Sequence, residues 1–266
     1  MTEKVTIPDL IRRKRDGGKI TVVTAYDYPS ARILDEAGID MVLVGDSLAS
    51  VVQGEATTLP VTMDEMVYHT RIVSRGVRRA IVVADMPFLS YQTGVEEAVR
   101  NAGRFLKEGG AAAVKVEGGA VVRSQIEAMI AAGIPVMGHA GLLPQSVHRM
   151  GGYRVQGKDE ASAARVLEDA VILNETGVFA MVLEGIPADL SRRITEAVTV
   201  PTIGIGAGVH CDGQVLVWHD LLGLTEGKVP KFVRQYARLR ETALDAVRRF
   251  KEDVDSGKFP GPGESY

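Results

Sequence analysis

The sequence holds a single cysteine, Cys211, in 266 residues. That excludes an intrachain disulfide and any zinc site built from several cysteines. No apolar run approaches the roughly 20 residues that span a bilayer, and residues 1–10 carry no apolar signal core. Positive charge is not in excess either. The formal net charge is −3, and a general nucleic-acid binder shows a basic surface instead. These absences lead to the expectation of a soluble, cytoplasmic chain with neither nucleic-acid nor membrane partners. The four consecutive basic residues Arg12 to Arg15 read as a solvated helix face.

Eight apolar runs are present, at 20–26, 41–46, 80–85, 111–117, 134–139, 179–184, 201–208 and 214–220. They are continuous rather than alternating, as strands buried on both faces are. Amphipathic segments separate them. Pro8 suits the first turn of a helix that Gly17 and Gly18 stop. Thr62 and Glu65 have capping-box spacing. Ala163, Val166, Leu167 and Ala170 form a helical apolar stripe. A closing helix is expected over 231–254, followed by a Pro/Gly-rich tail from Gly257. The length fits one (β/α)₈ barrel, which typically takes about 250 residues. The pattern therefore predicts a single α/β domain over 1–266, with a doubly wound open sheet as the alternative. The longest connection before a helix, 141–159, reads as either a lid or a surface loop.

The stretch Ala111–Gly119 focuses the chemistry. Lys115 and Glu117 lie two apart on an apolar strand, so they share a face. They read either as a buried ion pair that fills the barrel or as part of a site, since burying an unpaired ion costs several kcal/mol. Acids and a histidine recur at the ends of neighbouring strands: Asp46 with Ser47, Asp85, His139 and Glu184. In a barrel these ends form the catalytic mouth. Carboxylates from adjacent strands suit Mg²⁺, a hard cation that prefers oxygen. Zinc favours histidine and cysteine. Such a metal beside Lys115 suggests an anionic, oxygen-rich substrate, and a 2-oxo acid can chelate through its carbonyl and carboxylate. Glu184, across the mouth, reads as the base or else as a more distant acid or a cap, and His139 reads as orienting a substrate oxygen or as a core histidine with a satisfied hydrogen bond. The glycines of Gly204-Ile-Gly-Ala-Gly208 lack dinucleotide spacing. They read as close backbone packing or as a phosphate contact.

Segments from Tyr26 almost to the C-terminus resemble the ketopantoate hydroxymethyltransferase family. They include TAYDYPSARILDEAGID, VLVGDSLASVVQGEATTLPVTMDEM, VVADMPF, AAAVKVEGG, VMGHAGLLPQSV, GGYRVQG, VLEGIP and IGIGAGVHCDGQVLVWHDLLG, in order. The resemblance implies a barrel, one Mg²⁺ per subunit, 5,10-methylenetetrahydrofolate as co-substrate, a role in pantothenate and coenzyme A synthesis, and a homodecamer. It implies Asp46 and Asp85 as metal ligands and Glu117 as a more distant metal-site acid. Asp46, Ser47, Asp85 and Lys115 fall at substrate-binding positions, His139 at an active-site histidine and Glu184 at the proton acceptor. Ala140, Leu143 and Gly185 depart from the family's usual residues beside the site. A carbon–carbon lyase of the isocitrate lyase kind is the rival, but its Lys-Lys-Cys-Gly-His signature is absent. A barrel that binds oxo acids without catalysis is the non-enzyme alternative.

Overall fold

The computed structural model describes residues 3–227 and 229–266. Backbone packing divides the chain, read above as one domain, into two compact units, one ending at Val217 and the other starting at Trp218. The first unit opens with helix α1 (Ile7–Asp16) and strand β1 (Ile20–Thr24). Helix α2 (Tyr28–Glu36), β2 (Met41–Val44), the single turn α3 (Leu48–Val51), α4 (Met63–Gly76) and β3 (Ile81–Asp85) follow. Next come α5 (Val95–Lys107), β4 (Ala113–Lys115), α6 (Arg123–Ala131) and β5 (Val136–Gly141). The unit ends with α7 (Glu160–Thr176), β6 (Ala180–Glu184), α8 (Ala188–Ala197), β7 (Thr202–Ile205) and β8 (Gly213–Leu216). The second unit holds α9 (Trp218–Leu221) and α10 (Leu239–Asp255).

The eight strands form a closed barrel in chain order. Every neighbouring pair is parallel, including β1 with β8, where Ile20 faces Gly213 and Val22 faces Val215. The core explains the continuous apolar runs. Ile20, Val22, Met41, Leu43, Ile81, Val83, Met137, Val182 and Ile203 belong to one buried cluster. The intervening residues of β2, β3 and β4 are buried too, because helices cover the outer face.

Local signals set the helix ends. Thr62 and Glu65 complete the expected capping box on α4, and Asp159 with Ser162 forms one on α7. Helix α1 has another from Thr6 and Asp9 and stops at Gly17, which takes a left-handed φ of 73°. Helix α1 also ties the two ends of the barrel together. Leu10 enters the core, while Lys14 Nζ reaches Asp212 and the Thr195 carbonyl, both at 2.9 Å.

Two expectations change at the C-terminal side. Strand β8 ends at Leu216, not at 220. The apolar run Val215-Leu-Val-Trp218 continues past the barrel into α9. The closing helix begins at Leu239 rather than 231, because Pro230 and the residues after it make turns. Lys228, which precedes it, lies outside the described residues. Gly204 resolves as a packing glycine. A Cβ there would stand 3.0 Å from Cys211 Sγ and from the Gln214 amide.

Candidate functional site at the barrel mouth

The C-terminal ends of β2 to β6 bring together every polar residue singled out from the sequence. β3 and β4 pair with Asp85 opposite Lys115, and the Lys115 ammonium donates to Asp85 Oδ1 at 2.6 Å. The simple Lys115–Glu117 ion pair, the alternative to a site, is therefore not formed. Strand β4 ends at Lys115, yet Glu117 is buried in the same cluster and helps to hold the ammonium charged. Asp46 begins the turn after β2, and its backbone N–H donates to Asp85 Oδ2 at 3.1 Å. The Ser47 hydroxyl meets the Tyr26 hydroxyl at 2.8 Å.

Glu117 and His139 lie on the next two elements. Gly118 N–H bonds the His139 carbonyl at 3.0 Å. His139 Nδ1 sits 3.6 Å from Glu117 Oε1, and its Nε2 sits 3.4 Å from Glu184 Oε2. These separations exceed good hydrogen bonds. Both ring nitrogens and Glu117 Oε1 are buried without completing a hydrogen bond among the described residues. Glu184 ends β6 opposite Gly141 of β5. Gly141 must be glycine. Its φ is 98°, and a Cβ would lie 2.4 Å from the Glu184 carbonyl oxygen.

Burial decides the protonation states. Asp46 and Asp85 are 4% and 3% exposed. Burial, then repulsion from Asp85, pushes Asp46 up to about 7, against pulls from Lys115 and the Gln145 amide. Burial and then Asp46 raise Glu117 well above the carboxylate range. Burial alone would lower Lys115, but Asp85, Glu117 and Asp46 outweigh it and hold the ammonium. Burial, then Lys115, drives His139 well below its ordinary value, so the ring is neutral. Glu184 is raised to about 7, chiefly by burial, with Lys115 opposing. Its side chain keeps 17% exposure, which leaves it reachable from the mouth.

Sequence reasoning missed Gln145, Tyr91 and Gln92. Gln145 sits in the 3₁₀ turn Pro144–Ser146 at the start of the 141–159 connection. Its Nε2 donates to Asp46 Oδ2 and to the Met86 carbonyl, both at 2.9 Å. Its backbone N–H donates to Glu117 Oε2 at 3.0 Å. Tyr91 and Gln92 hold its Oε1 at 2.9 and 3.0 Å. The start of that connection is therefore a wall of the site, not a free lid. The Pro-bounded position of Gln145 is the only sequence sign of it, and Pro-bounded turns are common.

A cation fits part of this set. Four carboxyl groups, from Asp46, Asp85, Glu117 and Glu184, surround one ammonium, and burial first, then repulsion among the acids, raises Asp46 and Glu117. Hard oxygen donors of this kind suit Mg²⁺, which needs only one or two carboxylates plus substrate and water. The expected trio does not close, however. Among the described residues no three His, Cys, Asp or Glu side chains are placed to hold one metal. Asp46 and Asp85 are neighbours, and Glu117 joins them through Gln145.

Solved structures of similar shape include phosphonopyruvate hydrolase in complex with oxalate and Mg²⁺. Its TM-score is 0.62 at 14% identity, over 98% of this chain and 93% of that one. Another is 2,3-dimethylmalate lyase, a member of the PEP mutase/isocitrate lyase superfamily, at 0.60 and 17% over 97% and 87%. These likenesses define the class by fold, a parallel (β/α)₈ barrel. Sequence relationships are far stronger. The family described as ketopantoate hydroxymethyltransferase matches residues 4–262. A 3-methyl-2-oxobutanoate hydroxymethyltransferase of Moorella thermoacetica is 58% identical over 99% of this chain and 98% of its own. One from Geobacter sulfurreducens is 57% identical over the full length of both. This chain belongs to the ketopantoate hydroxymethyltransferase family.

Proposed function

We propose that this protein transfers a hydroxymethyl group from 5,10-methylenetetrahydrofolate to 3-methyl-2-oxobutanoate. The product is 2-dehydropantoate (ketopantoate), a precursor in pantothenate synthesis. The carrying observation is the convergence of Asp46, Asp85, Lys115, His139 and Glu184 at one mouth in a chain that shares more than half its residues with relatives of that name.

Asp46 and Asp85 would hold Mg²⁺, one per subunit, with Glu117 the outlying acid. When bound, the cation supplies Lewis-acid polarisation of the 2-oxo group, worth several kcal/mol. Lys115, held charged beside Asp85, offsets the substrate's negative charge. Ser47 and the neutral His139 supply polar contacts that orient the substrate oxygens.

Glu184 takes the C3 proton. Its elevated pKa suits a base near neutral pH. Water adds to the folate's methylene carbon and both of its C–N bonds break, which leaves that carbon as formaldehyde and returns a proton to each folate nitrogen. The C3 electron pair then bonds this carbon, its oxygen takes the proton held by Glu184 to become the new hydroxyl, and tetrahydrofolate departs.

The same reading carries a cytoplasmic homodecamer. No described helix is long and apolar enough to cross a membrane.

The test is C3–H exchange of 3-methyl-2-oxobutanoate in D₂O, followed by NMR without folate. Mg²⁺-dependent loss of the C3–H signal is expected. Absence of exchange, even after tetrahydrofolate is added, would overturn the reading.

A further inference from the structure

Gln145 has every hydrogen-bonding position of its side chain in use. A primary amide offers two N–H donors and two carbonyl lone pairs. Here the donors go to Asp46 Oδ2 and the Met86 carbonyl, and the lone pairs go to Tyr91 and Gln92. The network also fixes which way the amide points. Turned over, it would set its oxygen against a carboxylate and a carbonyl. The residue is 7% exposed, so water does not compete for these bonds.

The anchors are themselves constrained. The Tyr91 hydroxyl accepts from Glu117 N–H at 3.0 Å and so directs its own proton toward Gln145 Oε1 at 2.9 Å, with the Glu117 carbonyl next at 3.2 Å. Gln145 N–H meanwhile holds Glu117 Oε2. One residue of the β5–α7 connection thus grips two acids that arise from β2 and from the end of β4, and Tyr91 braces both it and Glu117.

We propose that Gln145 is a positioning residue that sets the orientation of Asp46 and Glu117 for a divalent cation, with Tyr91 as its brace. The proposal rests on the metal role given to Asp46 above. One oxygen of Asp46, Oδ2, is committed to the amide, which leaves Oδ1 for the cation. Partners that orient metal ligands commonly contribute 10- to 100-fold in affinity.

The experiment compares Gln145→Met, Tyr91→Phe and the wild-type enzyme by Mn²⁺ titration under electron paramagnetic resonance, without substrate. Gln145→Met keeps the side-chain length and removes both donors. It is expected to weaken Mn²⁺ binding about 10- to 100-fold and to raise KM for 3-methyl-2-oxobutanoate, while KM for the folate stays at the wild-type value. Tyr91→Phe leaves the Asp46 contact intact and removes one brace, so a several-fold loss of Mn²⁺ affinity is expected. Wild-type affinity in Gln145→Met would overturn the proposal, whatever its melting temperature, because a purely structural residue lowers stability without changing the folded site. If Gln145→Met does not fold, Tyr91→Phe decides alone: weakened binding supports the proposal and unchanged binding overturns it. A wild-type enzyme that binds no Mn²⁺ would instead defeat the metal reading itself, and the proposal with it.

Discussion

The two halves of the barrel mouth are built differently. On the β2–β4 side, Asp46, Asp85 and Lys115 are almost fully buried, and each is engaged in an ion pair or hydrogen bond of normal length. On the β5–β6 side, His139 has two ring nitrogens without a completed bond, and Glu184 keeps partial exposure. These three residues of the first half are partnered, as charges in a low-dielectric setting need to be. The second half leaves polar atoms uncommitted, which a reacting group requires. The proposed function puts cation binding on one side of this opening and proton transfer on the other.

The sharpest way to break this contrast is Glu184→Gln. It should lower C3–H exchange and turnover about 10²- to 10⁴-fold, while binding of Mg²⁺ and of the oxo acid persists. Exchange at the wild-type rate would remove Glu184 as the base. On the other side, Lys115→Met strands Asp85 without its cation. Breaking a buried pair this way costs about 3–5 kcal/mol, read as a lowered denaturation midpoint. An unchanged midpoint would mean that the buried half is not held by this pair.

The halves also differ in how pH acts on them. Glu184 is protonated up to about pH 7 in the folded protein and up to about 4.5 when unfolded. A raised carboxyl binds its proton more tightly when folded. Its contribution to stability is full below about 4.5 and is lost as pH rises through about 7. Glu184→Gln should therefore match the metal-free wild type near pH 4.5 and exceed it by ~1–3 kcal/mol at pH 8, in urea titrations at the two values. Equal stability at both would refute the raised pKa. The smallest effect belongs to a residue in neither half. Thr62→Ala removes the α4 cap and should cost ~1 kcal/mol with kcat unchanged. A fall in kcat would show that the mouth is not insulated from that helix.

Much of this was legible in the residues. Eight continuous apolar runs imply strands covered on both sides, and the barrel has them in that order. Asp46, Asp85, His139 and Glu184 stand out because a polar residue closing an apolar strand is hard to explain otherwise. Gln145 does not stand out. Its importance comes from five hydrogen bonds to other segments, and all but Asp46 and Glu117 among those partners lie in ordinary-looking turns. The partner of Lys115 lies on β3, so spacing along β4 alone could not name it. The end of β8 was hidden because Val217-Trp218 is as apolar as the strand it follows.

Closure of the barrel by β1 against β8 has a consequence for synthesis. The outer edge of β1 finds its partner only after residue 216 has been made. At roughly 5–20 residues per second, the ribosome needs about 10–40 s to get from one strand to the other. For that interval the growing chain carries Ile20-Thr-Val-Val-Thr24 with an unpaired backbone edge, a template for joining strands of other chains. Slow translation between β1 and β8 thus lengthens exposure to aggregation, and a factor that shields this one edge protects the whole nascent barrel.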